Sequence, residues 1–110
     1  VQNATLPHAA AMARLGHALS DETRTRILLT LREAPACSSD LADTLGVSRQ
    51  VMSNQLACLR GCGLVEAVPD GRRRWYRLAD PRLATALDDL LTLAVAVDPT
   101  CCSPDGCACS

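Results

Sequence analysis

The sequence predicts a mainly α-helical domain with one small β-hairpin, and three observations carry that expectation. Aromatic residues are scarce, with one Trp, one Tyr and no Phe among 110 residues, so the core must be built from Leu, Ala and Val, which suits packed helices better than a β-sandwich. Apolar residues recur at helical spacing in several segments, each bounded by capping or breaking residues. A single turn tripeptide, Pro69-Asp70-Gly71, stands between two stretches able to pair.

Taken in order, Ala9 to Leu19 places Ala9, Met12, Ala13, Leu15, Gly16 and Leu19 at helical spacing, and Ser20-Asp21 supplies a stop and a new N-cap. Glu22 to Leu31 sets Ile27, Leu28 and Leu31 on one side of a second helix, which Ala34-Pro35 ends because the residue before a proline is pushed out of the α region. Ser38 or Ser39 can cap a third helix, Asp40 to Leu45, with Leu41, Ala42 and Leu45 inward and Gly46 as a left-handed C-cap. Ser48 then caps a fourth. A helix, a glycine-containing turn and a second capped helix form a helix-turn-helix pattern, in which the second helix reads DNA. Leu64 to Val68 and Arg72 to Leu78 pair around the turn as a wing, with Tyr76 and Leu78 inward and Trp75 packing rather than stacking on bases. The last helix, from about Pro81 to Val97, carries Leu83, Leu87, Leu90, Leu91 and Val95 over too wide an arc for a surface helix of so small a domain. It should meet a second subunit. Residues 1–97 are thus expected to form a winged helix-turn-helix domain that dimerises through its first and last helices, and 98–110 a flexible tail with four cysteines.

The stretch from Ser48 to Val65 concentrates the chemistry. At roughly 100° per residue, Leu56 and Leu59 fall within about 40° of Met52 and define a core face. Gln50, Ser53, Asn54 and Ala57 lie on or near the opposite side. Small and amide-bearing side chains suit a major groove, where Asn or Gln pairs bidentately with adenine; the alternative is an ordinary solvated surface. Arg49, beside Ser48 at the N-terminal end, is placed for phosphate or guanine. Net charge is −1, so attraction to nucleic acid must be local, and the densest positive cluster is Arg72, Arg73 and Arg74 with Arg77 on the wing. Edge-strand protection is the other use of such charge.

Cys58 and Cys62 fall roughly 120° and 80° from the core centre, away from Ser53 and Ala57, and being four apart they share one helix surface. Two thiolates there can share an ion; alternatively both are small buried hydrophobes. Cys101, Cys102, Cys107 and Cys109 lie in the tail, where one can close a three- or four-sulfur site or all can form a loose metal-binding or redox segment. Cys37 stands alone and reads as structural. An all-sulfur site selects soft ions: Cd(II), Pb(II), As(III) and Hg(II), with Zn(II) possible at four sulfurs. His8 and His17 show no ligand spacing, and no thiol is supported by a His base, so an enzyme with an organic substrate is not expected. No leader or membrane-spanning run is read in the chain, which points to the cytoplasm, where close cysteines are more often ligands or redox centres than bridges.

These residues resemble the ArsR/SmtB family of winged-helix metal-sensing repressors over nearly the whole chain. LGHALSDETRTRILLTL is similar to the family's first two helices, SSDLADTLGVSRQVMSNQLACLRGCGLV to its helix-turn-helix, and DGRRRWYRL to its wing. LACLRGCGLV with a cysteine-bearing tail most resembles the CmtR-type Cd(II)/Pb(II) sensors. That resemblance implies a homodimer that binds double-stranded operator DNA when metal-free and leaves it when Cys58, Cys62 and Cys102, or Cys101 in its place, take up the ion. Cys37-Ser38-Ser39-Asp40-Leu41 keeps one of the two cysteines of the third-helix sensors, and the last helix lacks the His of the zinc sensors. The vicinal Cys101-Cys102 keeps an As(III)-responsive repressor in view. A soft-metal scavenger or carrier without a DNA role, and a repressor triggered by oxidation, are the other readings.

Overall fold

The computed structural model describes the backbone of residues 2–97, 102–103 and 106–107, and the side chains of residues 7–97. Among these residues the helices are α1 (Gln2–Leu19), α2 (Glu22–Leu31), α3 (Ser38–Leu45), α4 (Arg49–Gly61) and α5 (Arg82–Ala94). The strands β1 (Ala36–Cys37), β2 (Val65–Asp70) and β3 (Arg73–Leu78) form an antiparallel sheet in the order β1-β3-β2. In the tail, β4 (Cys102–Ser103) pairs antiparallel with β5 (Gly106–Cys107), setting Cys102 opposite Cys107. The arrangement is the winged helix expected, mainly α with a small sheet. Among the described residues no helix is long and apolar enough to cross a membrane.

The core draws one or more buried side chains from every element of the domain except β1. Ala18 of α1, Ile27, Leu28 and Leu31 of α2, Leu41, Ala42 and Leu45 of α3, and Met52, Leu56 and Leu59 of α4 form one buried cluster with Val65, Tyr76 and Leu87. Each fully buried Leu or Ile contributes on the order of 1.5–3 kcal/mol by leaving water. Along the wing, paired residues share a sheet face: Val65 opposite Leu78 and Ala67 opposite Tyr76 turn toward the core, as read for Tyr76 and Leu78. Val68, Trp75 and Cys37 form a cross-strand row on the other face. Cys37 is buried there, outside the main core, with the Arg73 Nη1 at 3.9 Å from its Sγ, which agrees with a structural role.

Several expectations need correction. Helix α1 starts at Gln2 rather than Ala9 and runs across Pro7, which lacks an N–H and so gives up one helical bond without ending the helix. Its apolar face is covered only near the end: Ala18 is buried and Leu15 and Leu19 half-buried, while Ala9, Met12, Ala13 and Gly16 are exposed. Helix α3 begins at Ser38, directly after β1, so neither Ser38 nor Ser39 caps it; Cys37 holds that position without a side-chain bond. The wing strands extend closer to the turn than Pro69-Asp70-Gly71 suggested. Pro69 and Asp70 pair with Arg74 and Arg73, leaving Gly71-Arg72 as the two-residue loop. Pro69 is tolerated because β2 is an edge strand, and Gly71, at φ 64 with Arg72 on the ordinary side, suits a type II′ turn. Helix α5 is shorter at both ends than Pro81 to Val97. Its Asp88 carboxylate pairs with Arg32, the C-cap of α2, fastening α5 to the domain.

Candidate nucleic-acid interface and thiol site

Both ends of α4 are set by local hydrogen bonds. At the start, Gly46 takes the left-handed φ of 69 that ends α3, the Val47 N–H donates to the Ala42 carbonyl at 3.1 Å, and the Ser48 hydroxyl accepts the Val51 N–H at 3.0 Å. At the finish, Gly63 adopts φ 79, its N–H donates to the Arg60 carbonyl and the Leu64 N–H to the Leu59 carbonyl, each at 3.0 Å. That pair of bonds is a Schellman turn with Cys62 as the helix C-cap. A helix stopped this sharply carries its last cysteine in a defined place.

Between these ends the helix divides into strips as the angular reading expected. Met52, Leu56 and Leu59 are buried. Gln50, Ser53, Asn54 and Ala57 are exposed, with Ser48 and Arg49 exposed at the N-terminal end. The Gln50 Nε2 donates to the Asn54 Oδ1 at 3.0 Å, so the two amides orient each other one turn apart. Cys58 and Cys62 are both free thiols and both exposed. Among the described residues of the single chain, the alternative reading of the pair as small buried hydrophobes does not hold. The Cys62 N–H donates to the Cys58 carbonyl at 3.0 Å, so one helical turn separates the thiols and their side chains are neighbours. Beside Cys62 a groove of about 480 Å³ runs between α1, at Met12, Arg14 and Leu15, and Leu64 and Leu83. Among the described residues no cluster of three or more His, Cys, Asp or Glu is arranged to hold a metal ion. Cys101 and Cys109 lie outside the described residues, and of Cys102 and Cys107 only the backbone is described.

On the wing the four arginines separate. Arg77 pairs with Glu66, its cross-strand neighbour, and the Arg73 guanidinium lies over Cys37. Arg72, at the loop, and Arg74 are exposed and make no ion pair among the described residues, which leaves them the freer cations of the cluster. The sequence reading missed Gln55, half-buried on α4 and hydrogen-bonded to Arg24 and Asp21 at the α1–α2 corner. Asp21 was legible as an N-cap, and Arg24 three residues later was the available sign that the corner holds more than a cap.

The model of the arsR family of bacterial regulatory proteins matches residues 21–67, from the α2 cap to the start of the wing. The HTH-type transcriptional regulator CmtR of Mycobacterium tuberculosis is 51% identical over 88 residues, covering 80% of this chain and 75% of CmtR. The solution structure of the cadmium metal-sensor CmtR from the same organism superposes with a TM-score of 0.65, covering 78% of this chain and 90% of that one. A homodimeric winged helix-turn-helix DNA-binding domain from Mycobacterium bovis, 28% identical, superposes with a TM-score of 0.77 over 83% of this chain and 84% of that one. With the capped recognition helix, the wing and the extent of these matches in agreement, the chain belongs to the ArsR family of bacterial regulatory proteins.

Proposed function

We propose that this protein is a homodimeric repressor that binds two-fold operator DNA when metal-free and releases it when a soft thiophilic ion, Cd(II) or Pb(II), is taken up by cysteine thiolates. The observation that carries the reading is that one helix presents both parts. The exposed strip Gln50, Ser53 and Asn54, with Ser48 and Arg49 at its start, faces away from the core, and the exposed pair Cys58 and Cys62 occupies a separate flank. Gln50 and Asn54 read base edges, Ser48, Ser53 and Arg49 fix the helix N-terminus on phosphate or base, and Arg72, Arg73 and Arg74 add phosphate contacts whose contribution falls with salt. Arg73 serves DNA only by leaving its place over Cys37. The protein acts in the cytoplasm, where operator DNA is.

Dimerisation is supported by the apolar surface that the single chain leaves uncovered. Met12 is 67% exposed, Leu93 65% and Val95 77%, with Leu90, Leu91 and Val97 also exposed, all on α1, α5 or the turn that follows α5. A small domain does not leave so many large apolar side chains in water without a partner surface. A second copy would bring two recognition helices to successive major grooves about 34 Å apart.

The donor set fits a soft ion: two adjacent thiols, exposed, with no oxygen ligand grouped beside them among the described residues. Cys58 and Cys62 would hold the ion together with Cys102, or Cys101 in its place, from the tail of either subunit. A bound ion supplies a tie between these sulfurs. Both thiols lose their protons to ligate, so metal affinity falls as pH falls. Anchoring α4 to a tail that follows the dimer helix disfavours the setting of α4 that DNA selects.

The test uses a duplex selected from a random library by the metal-free full-length protein. Titrating Cd(II) and Pb(II), with As(III), Hg(II) and Zn(II) as competitors, is expected to produce thiolate-to-metal absorption and to weaken duplex binding together in the wild type. In Cys62→Ser both responses should be lost while metal-free duplex binding stays within about twofold, a limit set by a side chain placed off the base-reading strip. A Cys62→Ser variant that binds and responds normally overturns the site, and failure to select any duplex overturns the repressor.

A further inference from the structure

On the flank of α4 that carries Cys58 and Cys62, one more side chain is committed. Gln55 lies three residues before Cys58 and seven before Cys62, on the same side of the helix. Its Oε1 accepts a hydrogen bond from the Arg24 Nη1 at 3.1 Å, and its Nε2 donates to the Asp21 Oδ2 at 3.4 Å. Arg24 is the centre of the arrangement. Its backbone N–H donates to the Asp21 Oδ1 at 3.0 Å, its Nε to the Ala18 carbonyl at 3.0 Å and its Nη2 to the His17 carbonyl at 3.0 Å. The carbonyls belong to the last turn of α1, and Asp21 is the N-cap of α2. One ring of hydrogen bonds therefore joins the end of α1, the start of α2 and the middle of the recognition helix.

Three features make this ring more than a local cap. Among the described residues, the side-chain hydrogen bonds from α4 to another helix are both made by Gln55. The Arg24 side chain is only 12% exposed, and a planar guanidinium whose other donors are held by α1 carbonyls cannot follow α4 when it shifts. Hydrogen bonds of this length fail once the heavy atoms separate by about another 0.5 Å. The ring also leads from the thiol flank to α1, which leaves Met12 exposed.

We infer that Gln55 is a positioning residue. It holds α4 in the DNA-competent setting against the α1–α2 corner, and through it a change at Cys58 and Cys62 is passed to that corner. The inference rests on the reading of the chain as a thiolate-triggered repressor. It commits to one contact: when the thiols are drawn toward a common ligand, the bonds from Gln55 to Arg24 and Asp21 are those that give way.

The experiment measures binding of the selected duplex by the full-length chain with and without Cd(II), for wild type and Gln55→Leu. Leucine keeps the size and helix propensity but makes none of the bonds. Gln55→Leu is expected to bind the duplex about tenfold more weakly without metal and to shrink the ratio of metal-free to Cd(II)-loaded affinity by a similar factor. Cd(II) stoichiometry and thiolate absorption should stay at wild-type values. Thermal midpoints are recorded in parallel, because a residue that only stabilises the fold lowers the midpoint and leaves the ratio unchanged. That outcome overturns the inference. A wild-type protein whose duplex affinity is indifferent to Cd(II) removes the repressor reading and the inference with it; a responsive wild type with an unaltered ratio in Gln55→Leu removes the inference alone.

Discussion

Leu59 has no exposed surface, yet its neighbours Cys58 and Arg60 are exposed, so at the scale of single residues α4 changes its environment completely from one position to the next. This is the 100° step of the helix acting on a small domain: the side chain that anchors the helix and the side chains that do chemistry are adjacent in sequence and divergent in space. Leu59→Ala is expected to cost about 2–5 kcal/mol, the range for emptying a closed apolar site, read from the denaturant midpoint at unchanged m-value. A loss below about 1 kcal/mol would mean the core does not close on α4. Such positions were legible in the sequence because Met52, Leu56 and Leu59 announce themselves by period alone. Gln55 was not. A half-buried amide next to a core strip looks like any boundary residue, and its partners Arg24 and Asp21 stand 31 and 34 residues earlier, where no periodicity connects them.

Among the elements, helices were readable and the sheet less so, for a physical reason. A helix repeats its signal over several turns, and the starts of α2 and α4 and the end of α3 fall where Asp21, Ser48 and Gly46 place them. Strand β1 has two residues, too few for any alternation, and exists because Ala36 and Cys37 pair with Tyr76 and Trp75 across the sheet. Pro69-Asp70 misled for a related reason: both are turn formers, but on an edge strand the missing proline donor costs nothing and β2 continues through them. Helix α5 offers the element-scale prediction. Its first turn is capped from outside, with the Asp80 Oδ1 accepting the Arg82 N–H at 2.9 Å and both carboxylate oxygens bonded to the Arg82 guanidinium. The side-chain bonds from Arg82, then its backbone N–H, hold the Asp80 carboxyl down from 3.8 to about 2, and raise the Arg82 guanidinium in turn. A carboxyl whose folded value is depressed stabilises fully above its unfolded value, so this cap is complete above pH 3.8 and is lost as pH falls through about 2. Amide-resolved NMR of Arg82 and Leu83 should show the first turn of α5 loosening over that window in the wild type, and already loose at neutral pH in Asp80→Ala. A wild-type turn that loosened near pH 4, at the value of an unpaired carboxyl, would contradict the assignment.

For the molecule as a whole, function is distributed over surfaces that the single chain does not finish. The net charge of −1 means that no global field attracts DNA, and the freer arginines, Arg72 and Arg74, are confined to the wing. In the proposed repressor a second copy covers the apolar surface of α1 and α5, and further sulfur joins the thiol pair of α4. These incomplete surfaces meet around one helix. Through Gln55 it is fastened to Arg24 of α2 and so to the end of α1, and in the proposed repressor its exposed amides meet DNA and Cys58 and Cys62 meet a soft ion. The winged helix and the division of α4 into buried and exposed strips were legible from period and spacing, because the core determines the phase of that helix. The third ligand of the proposed site was not legible, because the tail sequence carries no periodicity.

The central claim is that the reader and the sensor are the same helix, and a thermodynamic cycle tests it most directly. Cd(II) affinity is measured by thiolate absorption in the free protein and in the protein saturated with its selected duplex, and duplex affinity is measured with and without Cd(II). Sharing a helix predicts that each ligand weakens the other by one and the same factor, within the range of roughly 5–150-fold expected for coupled sites. Cd(II) and duplex that bind independently, with a factor of one in both directions, would contradict it.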